Sequence, residues 1–138
     1  MPIERSHLQV TDRLRRLLEK PMPAIVATRR LKGYVQVVPA WFEFRDGLFW
    51  LNSNTARSWP GNIQRDGQVT LLILDRQDDH YWAQVEGVLV EATTDGAMEV
   101  IERLARRYTG KPFRALQSGE ERITLKIQPL RITGEGID

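Results

Sequence analysis

Residues 34–44 carry apolar side chains on both parities of an extended chain. Val35, Val37, Pro39 and Trp41 fall on one parity. Tyr34, Val38, Ala40, Phe42 and Phe44, with Gln36 among them, fall on the other. A strand of this kind is expected to be covered on both faces. A barrel wall that also meets a second subunit satisfies that demand. Turn signals bound the segment: Lys32-Gly33 before it and Arg45-Asp46-Gly47 after it. Such dipeptides join antiparallel strands through tight hairpins. Pro39 lacks a ladder donor, so it marks either an edge strand or a bulge.

Around that strand the rest of the chain reads as a small antiparallel β-structure with flanking helices. Ser6 and Gln9 fit a capping box for a helix over 6–20, with Val10, Leu14, Leu17 and Leu18 on one face. Arg13, Arg15 and Arg16 form its solvated side, and His7 reads as a surface residue. Strands are expected at 24–30, 34–44, 48–51, 68–75 and 81–91, with Gly87 at a bulge or barrel bend. A helix over 96–108 is expected, capped by Asp95 and ended by Gly110 and Pro112. A polar loop follows over 111–120. Residues 122–128 alternate, with Ile123, Leu125 and Ile127 inward and Thr124 and Lys126 outward. Pro129 punctuates a last strand at 130–133, and the final GEGID reads as a frayed tail. Hairpin-linked strands favour a barrel over a doubly wound sheet, so six to seven antiparallel strands in a single domain over 1–138 are expected.

Composition excludes several chemistries. The chain has no cysteine, which removes disulfides and thiolate metal sites, and its two histidines lie far apart. A His-rich metal site or a Ser-His-Asp triad is therefore poorly supported, and if the protein is an enzyme a bound organic cofactor is the expected carrier of the chemistry. The net charge is only +2, which speaks against a general nucleic-acid partner. Of the 20 basic residues 16 are arginine, the side chain suited to bidentate contacts with phosphate or carboxylate. No apolar run has the ~20 residues that cross a bilayer, and the first residues lack a signal-peptide core, so a cytoplasmic protein away from membranes is expected.

The stretch 47–66, GLFWLNSNTARSWPGNIQRD, carries the densest chemistry. A strand ends in Asn52, Ser53, Asn54 and Thr55, and Arg57 then precedes a helix start. Free N–H groups, the positive end of the helix dipole and a guanidinium together suit a phosphate. Ordinary helix capping by the same amides and hydroxyls is the alternative.

Taken together, MPAIVATRR at 22–30, VVPAWFEF at 37–44, DGLFWLNSNTARS at 46–58 and NIQRDGQVTLLILD at 62–75 carry a family resemblance. VEGVLVEA at 85–92, RLARRYTG at 103–110 and IQPLRIT at 127–133 extend it to nearly the whole chain. The sequence resembles the pyridoxamine 5'-phosphate oxidase-like, FMN-binding split-barrel family, and within it the flavin/deazaflavin (F-420) oxidoreductase branch. The resemblance implies a homodimer of split β-barrels with cofactor sites at the interface. It implies FMN or coenzyme F-420 as cofactor and a small organic substrate. By position, Ser53, Thr55 and Arg57 would bind the phosphate. Val38, Pro39, Ala40 and Trp41 would line the ring, with Thr28 adjacent and Asn62 in the matching NIQRD run. Trp59 stands where the branch carries a lysine, which leaves three alternatives: phosphate binding is weakened or lost, Trp59 stacks on a ring instead, or it packs at a dimer interface. No catalytic residue is implied; Tyr34, Tyr81, Tyr108 and His80 are candidates by chemical type alone. A non-catalytic flavin, deazaflavin or haem carrier is the rival function, and a decayed site that keeps only the dimer is a third. Pyridoxine-phosphate oxidation itself is disfavoured, because the chain is short and lacks basic residues for a second phosphate.

Overall fold

The computed structural model describes residues 8–138. Three helices and seven strands follow in the order α1 (Asp12–Glu19), β1 (Ala24–Arg29), β2 (Val35–Ala40), β3 (Phe42–Arg45), β4 (Leu48–Asn54), α2 (Ser58–Asp66), β5 (Gln68–Leu74), β6 (Trp82–Thr93), α3 (Ala97–Thr109) and β7 (Arg122–Glu135). All pairings are antiparallel, and the sheet order is β2-β1-β5-β6-β7-β4-β3. The two outer strands, β2 and β3, are separated in the chain by Trp41 alone. One residue cannot span an open seven-stranded sheet, so the sheet curls until its edges meet. That is the split barrel expected from the sequence.

The expected continuous strand over 34–44 is therefore two strands. The chain pairs with β1 up to Ala40 and with β4 from Phe42, changing partner at Trp41. Pro39 sits opposite Ile25 on the edge strand, in unbroken register, so its missing N–H costs no ladder bond on the open side. The expectation that both faces are covered is not met within one chain. Val35 is 65% and Val37 58% exposed, on the outward parity of β2.

Turn chemistry sets the hairpins. Asp46 and Gly47 both take positive φ, 54° and 75°, the conformation of a two-residue hairpin whose twist matches its strands. Gly87 marks a register shift between β6 and β7. A Cβ there would lie 2.5 Å from Ile127 Cγ2 and 2.9 Å from the Gln128 carbonyl oxygen, so only glycine permits this approach.

The core fills the barrel. Phe42, Phe49, Leu51, Leu71, Ile73, Leu125 and Ile127 are fully buried, with Leu14, Leu17 and Leu18 of α1 and Ile63 of α2 joining them. A smaller cluster of Val100, Ile101 and Leu104 places α3 against Trp41, Trp50 and Phe113. Arg107 ties the helices together by donating to the carbonyls of Leu18, Glu19 and Lys20 at the end of α1.

Several local expectations change. Helix α1 begins at Asp12 and is capped by the Thr11 hydroxyl, which accepts from the Leu14 N–H. Ser6 and His7 lie outside the described residues. The N-cap of α3 is Gly96 in a left-handed conformation, not Asp95. Thr124 is buried, since α3 covers the outer face of β7 there and Asn52 bonds its hydroxyl. Strand β7 runs unbroken through Pro129 to Glu135, and the tail is anchored: Ile137 is buried and its carbonyl accepts from the Thr11 hydroxyl.

Candidate functional site

A cleft of about 350 Å³ opens where the chain crosses from β2 to β3. Its walls are Pro23, Pro39, Ala40, Trp41, Asn52, Ser53, Arg57, Trp59, Ile101, Phe113, Arg114 and Arg122. This size falls within the range of small-molecule sites. A cavity of about 390 Å³ lies over the bulge of β6, lined by Gln68, Thr70, Glu86, Arg131 and neighbours. Among the described residues its only charges are a paired Glu86 and Arg131, 3.7 Å apart.

Each wall of the cleft has a sequence origin. The strand β4 is apolar up to Leu51 and then turns polar, and its end is carried into the cleft by pairing with the start of β7. Asn52 is buried: its amide donates to the Ala97 carbonyl (2.9 Å) and its oxygen accepts from Arg122 Nε (3.0 Å). Ser53 is 3% exposed and faces the cleft. Helix α2 follows, with Arg57 at its N-cap and no side-chain cap. The capping alternative is not realised at the N-cap itself, though Asn54 takes the ordinary turn role, its Oδ1 accepting from the Ala56 N–H at 3.0 Å. At the positive end of the helix dipole the N–H groups of Ser58 and Trp59 carry no side-chain cap, and Pro60, the third residue, has none to offer.

Trp41 holds the apolar wall. Its ring stacks on Tyr108 with centroids 5.2 Å apart and planes within 9°. The Tyr108 hydroxyl accepts from the Phe42 N–H and donates to the Met22 carbonyl (2.8 Å). Burial raises its pKa above the ordinary phenol value. Tyr108 is therefore an orienting group for Trp41 at the point where the strand changes partner.

The loop over 111–121 adds an ionic cluster. Glu120 accepts from Arg114 Nη1 (2.7 Å) and Nη2 (3.1 Å) and from Arg122 Nη1 (2.8 Å). The Phe113 ring lies 4.8 Å from the Arg114 guanidinium and 5.1 Å from that of Arg122. The Arg114 bonds, the Gln117 N–H and Arg122 hold the Glu120 carboxyl at about 2, against an ordinary 4.5. A carboxyl lowered on folding adds stability above its unfolded pKa and loses it as the pH falls toward the folded one. Between pH 4.5 and about 2 the unfolded chain takes up a proton that the folded chain refuses. Denaturant titrations are expected to show Glu120→Gln less stable than wild type at pH 6, with the gap closing by about pH 2. A gap independent of pH would place the effect elsewhere.

Six of the sequence-designated residues meet at this cleft: Pro39, Ala40, Trp41, Ser53, Arg57 and Trp59. Trp59 is 4% exposed and belongs to the barrel core, so it packs within its own chain and shows only an edge to the cleft. Thr28, Val38, Thr55 and Asn62 do not line it. Val38 packs against the core. Asn62 donates to the Thr28 hydroxyl (3.1 Å) and to Gln36 Oε1 (3.2 Å), which also accepts from Ser58 (2.9 Å). That network fixes the start of α2 to β1 and β2. Thr55 is exposed, and its N–H donates to the Glu121 carbonyl (2.9 Å). Asn52, Phe113, Arg114 and Arg122 were not designated. Asn52 belongs to the polar strand end read from the sequence, whereas Phe113, Arg114 and Arg122 come from loop and strand positions whose nearness to β4 only the β4–β7 pairing creates.

The other candidate acids lie elsewhere. Tyr34 is 80% exposed at a hairpin tip, Tyr81 donates to the Arg13 carbonyl, and His80 Nδ1 faces Glu135 at 3.4 Å. Among the described residues no group of His, Asp or Glu is placed to hold a metal ion, and no helix is long and apolar enough to cross a membrane.

Residues 10–134 match the family model described as pyridoxamine 5'-phosphate oxidase. The chain belongs to that family. No curated protein matches the chain in sequence. In structure, this member of the family is similar to an F420 reductase at 23% identity and a TM-score of 0.78, covering 86% of this chain and 94% of that one. It is similar to the conserved hypothetical protein Rv2991 from Mycobacterium tuberculosis at 20% identity and a TM-score of 0.74, covering 94% and 86%. It is also similar to HupZ of Group A Streptococcus, at 23% identity and a TM-score of 0.68, covering 94% and 100%. At these identities the likeness concerns the fold, which this family member shares across nearly its whole length.

Proposed function

We propose that this protein is a flavin- or deazaflavin-dependent oxidoreductase that binds FMN or coenzyme F-420 in the cleft and acts on a small organic substrate. The observation that carries the reading is the make-up of the cleft: an apolar, aromatic wall faces a polar end rich in arginine. The residues present fit such a group. Arg57, the Ser53 hydroxyl and the uncapped N–H groups of Ser58 and Trp59 at the start of α2 suit a phosphate. Pro39, Ala40 and Trp41 offer backbone and ring surface to a planar heterocycle. When bound, the cofactor supplies hydride or electron exchange with a substrate stacked on it. The chain's own part is to bind, orient and exclude water.

The reading includes a homodimer with the cofactor sites at its interface. In support, Val35 and Val37 expose an apolar strip on the edge strand next to the cleft, with Tyr34 exposed in the turn before it. A soluble chain gains by covering such a strip.

The test is a fluorescence titration of purified protein with FMN and, separately, F-420, alongside a mass measurement against the 16.0 kDa chain. Arg57→Ala is expected to weaken binding of the preferred cofactor about tenfold to a hundredfold, equivalent to ~1.5–3 kcal/mol for a lost charge-assisted bond. Failure of a folded dimer to bind either cofactor would sink the proposal. One observation favours a second reading, a non-catalytic carrier: among the described residues no imidazole or carboxylate lines the cleft. Oxidation of the bound reduced cofactor by an added acceptor, followed in a single turnover, separates the two.

A further inference from the structure

Three arginines border the cleft, Arg57, Arg114 and Arg122, against the single carboxylate of Glu120. Arg114 is fully engaged, with both terminal nitrogens on Glu120 and one also on the Ala115 carbonyl. Arg122 is not. Its side chain is only 8% exposed, its Nε donates to Asn52 and its Nη1 to Glu120. Among the described residues its Nη2 donates to nothing. Buried donors without partners are uncommon. Among the described residues the only fully enclosed side-chain donor without a partner is Arg107 Nε, so Arg122 Nη2 keeps access to the cleft that its side chain lines.

Arg57 approaches from the other side of the same turn. Arg122 pairs with Asn54 across β4 and β7, and Arg57 follows Asn54 after Thr55 and Ala56. The Thr55 N–H stitches this turn to Glu121, next to Arg122. Among the described residues Arg57 has no carboxylate partner. Burial is the main cause that pushes the Arg122 guanidinium below its ordinary value; Glu120 opposes it, and the charges of Arg114 and then Arg57 add to the lowering. Two cations converging on one cleft repel each other unless an anion lies between them.

We propose that Arg122 is an anion-binding residue of the cleft, its free Nη2 and the Arg57 guanidinium together gripping one phosphate-type oxyanion. On the functional reading above, on which this inference rests, that group is the cofactor phosphate. Trp59, packed in the core, offers no charge there, and β7 supplies the second cation in its stead.

The test compares FMN with riboflavin, which lacks the phosphate, in titrations of wild type, Arg122→Met and Arg122→Lys. Wild type is expected to bind FMN at least about tenfold more tightly than riboflavin, on the scale of one charge-assisted contact. Arg122→Met should lose that margin while its riboflavin affinity holds, and Arg122→Lys should fall between. Riboflavin binding reports an intact fold, and Arg122→Lys alone carries the comparison if Arg122→Met does not fold. Equal weakening toward both ligands, or toward neither, would overturn the proposal. A second arm measures thermal midpoints with inorganic phosphate. If wild type binds no flavin yet phosphate raises its midpoint and not that of the Arg122 variants, the anion site stands and the flavin reading falls. If phosphate shifts neither and FMN gains nothing over riboflavin, the Arg122 proposal fails.

Discussion

Gly134→Ala is expected to destabilise the fold by about 3 kcal/mol, at the upper end for inserting one methyl group into a packed site. The substitution adds the smallest possible side chain, but the added Cβ would lie 2.0 Å from the Trp82 carbonyl oxygen and 3.1 Å from Ala83 Cα. Both neighbours are backbone, so no side chain can rotate away. Relief requires β6 and β7 to part where Ala83 faces Gly134. That junction also holds the Glu135 carboxylate against the Trp82 indole N–H, at 3.0 Å. Urea titration should show a lower midpoint with an unchanged slope. Gly61→Ala is the control: a Cβ there meets nothing within 4 Å, and the position lies inside α2. It is expected to be neutral or to gain up to about 1 kcal/mol in helix propensity. Equal effects of the two variants would refute the close approach of β6 to β7.

Phe49→Ala is expected to cost about 3–5 kcal/mol, the range for emptying a buried aromatic site. Phe49 has no exposed surface and sits in the middle of the barrel wall on β4. Its ring lies 4.8 Å from that of Phe44 and 5.8 Å from that of Phe42, and its backbone pairs with Phe44 on one side and Ile127 on the other. The site is walled by strands on both sides and cannot collapse to fill the void. The neighbouring Trp50 is as large but points to the opposite face, where it is only partly buried under Arg103 and Lys126. Trp50→Ala should therefore cost clearly less. Calorimetric midpoints and denaturant titrations of both variants check the ranking, and a reversed order would mean that the two faces of β4 have been misassigned.

Much of this architecture is legible along the chain because local chemistry agrees with it. Asp46-Gly47 can form a two-residue hairpin without strain, and does. Gly87 inside an apolar strand signals a bulge, and the register shifts there. The polar break after Leu51, followed by Arg57 and a helix start, points to the cleft before any packing is known. The failures arise where packing overrides a local signal. Asp95 is a good capping residue by type, but Gly96 holds the N-cap position of α3. Pro129 reads as a strand break, yet β7 passes through it at the irregularity opposite Gly87.

The sequence by itself determined an antiparallel β-structure with flanking helices, its hairpins, most of its core and one half of the cleft. Those features depend on side-chain periodicity and turn residues, which act over a few positions. Only the tertiary structure decided that the segment after Tyr34 splits at Trp41 to serve both edges of the sheet. It also decided that the start of β7 lies beside the end of β4, which brings Arg122 to Asn52 from 70 residues away and carries Arg114 and Phe113 with it. Strand order is set by burying the barrel's whole inner face at once. No local pattern encodes that, so the half of the cleft contributed by distant strands becomes visible only in the closed barrel.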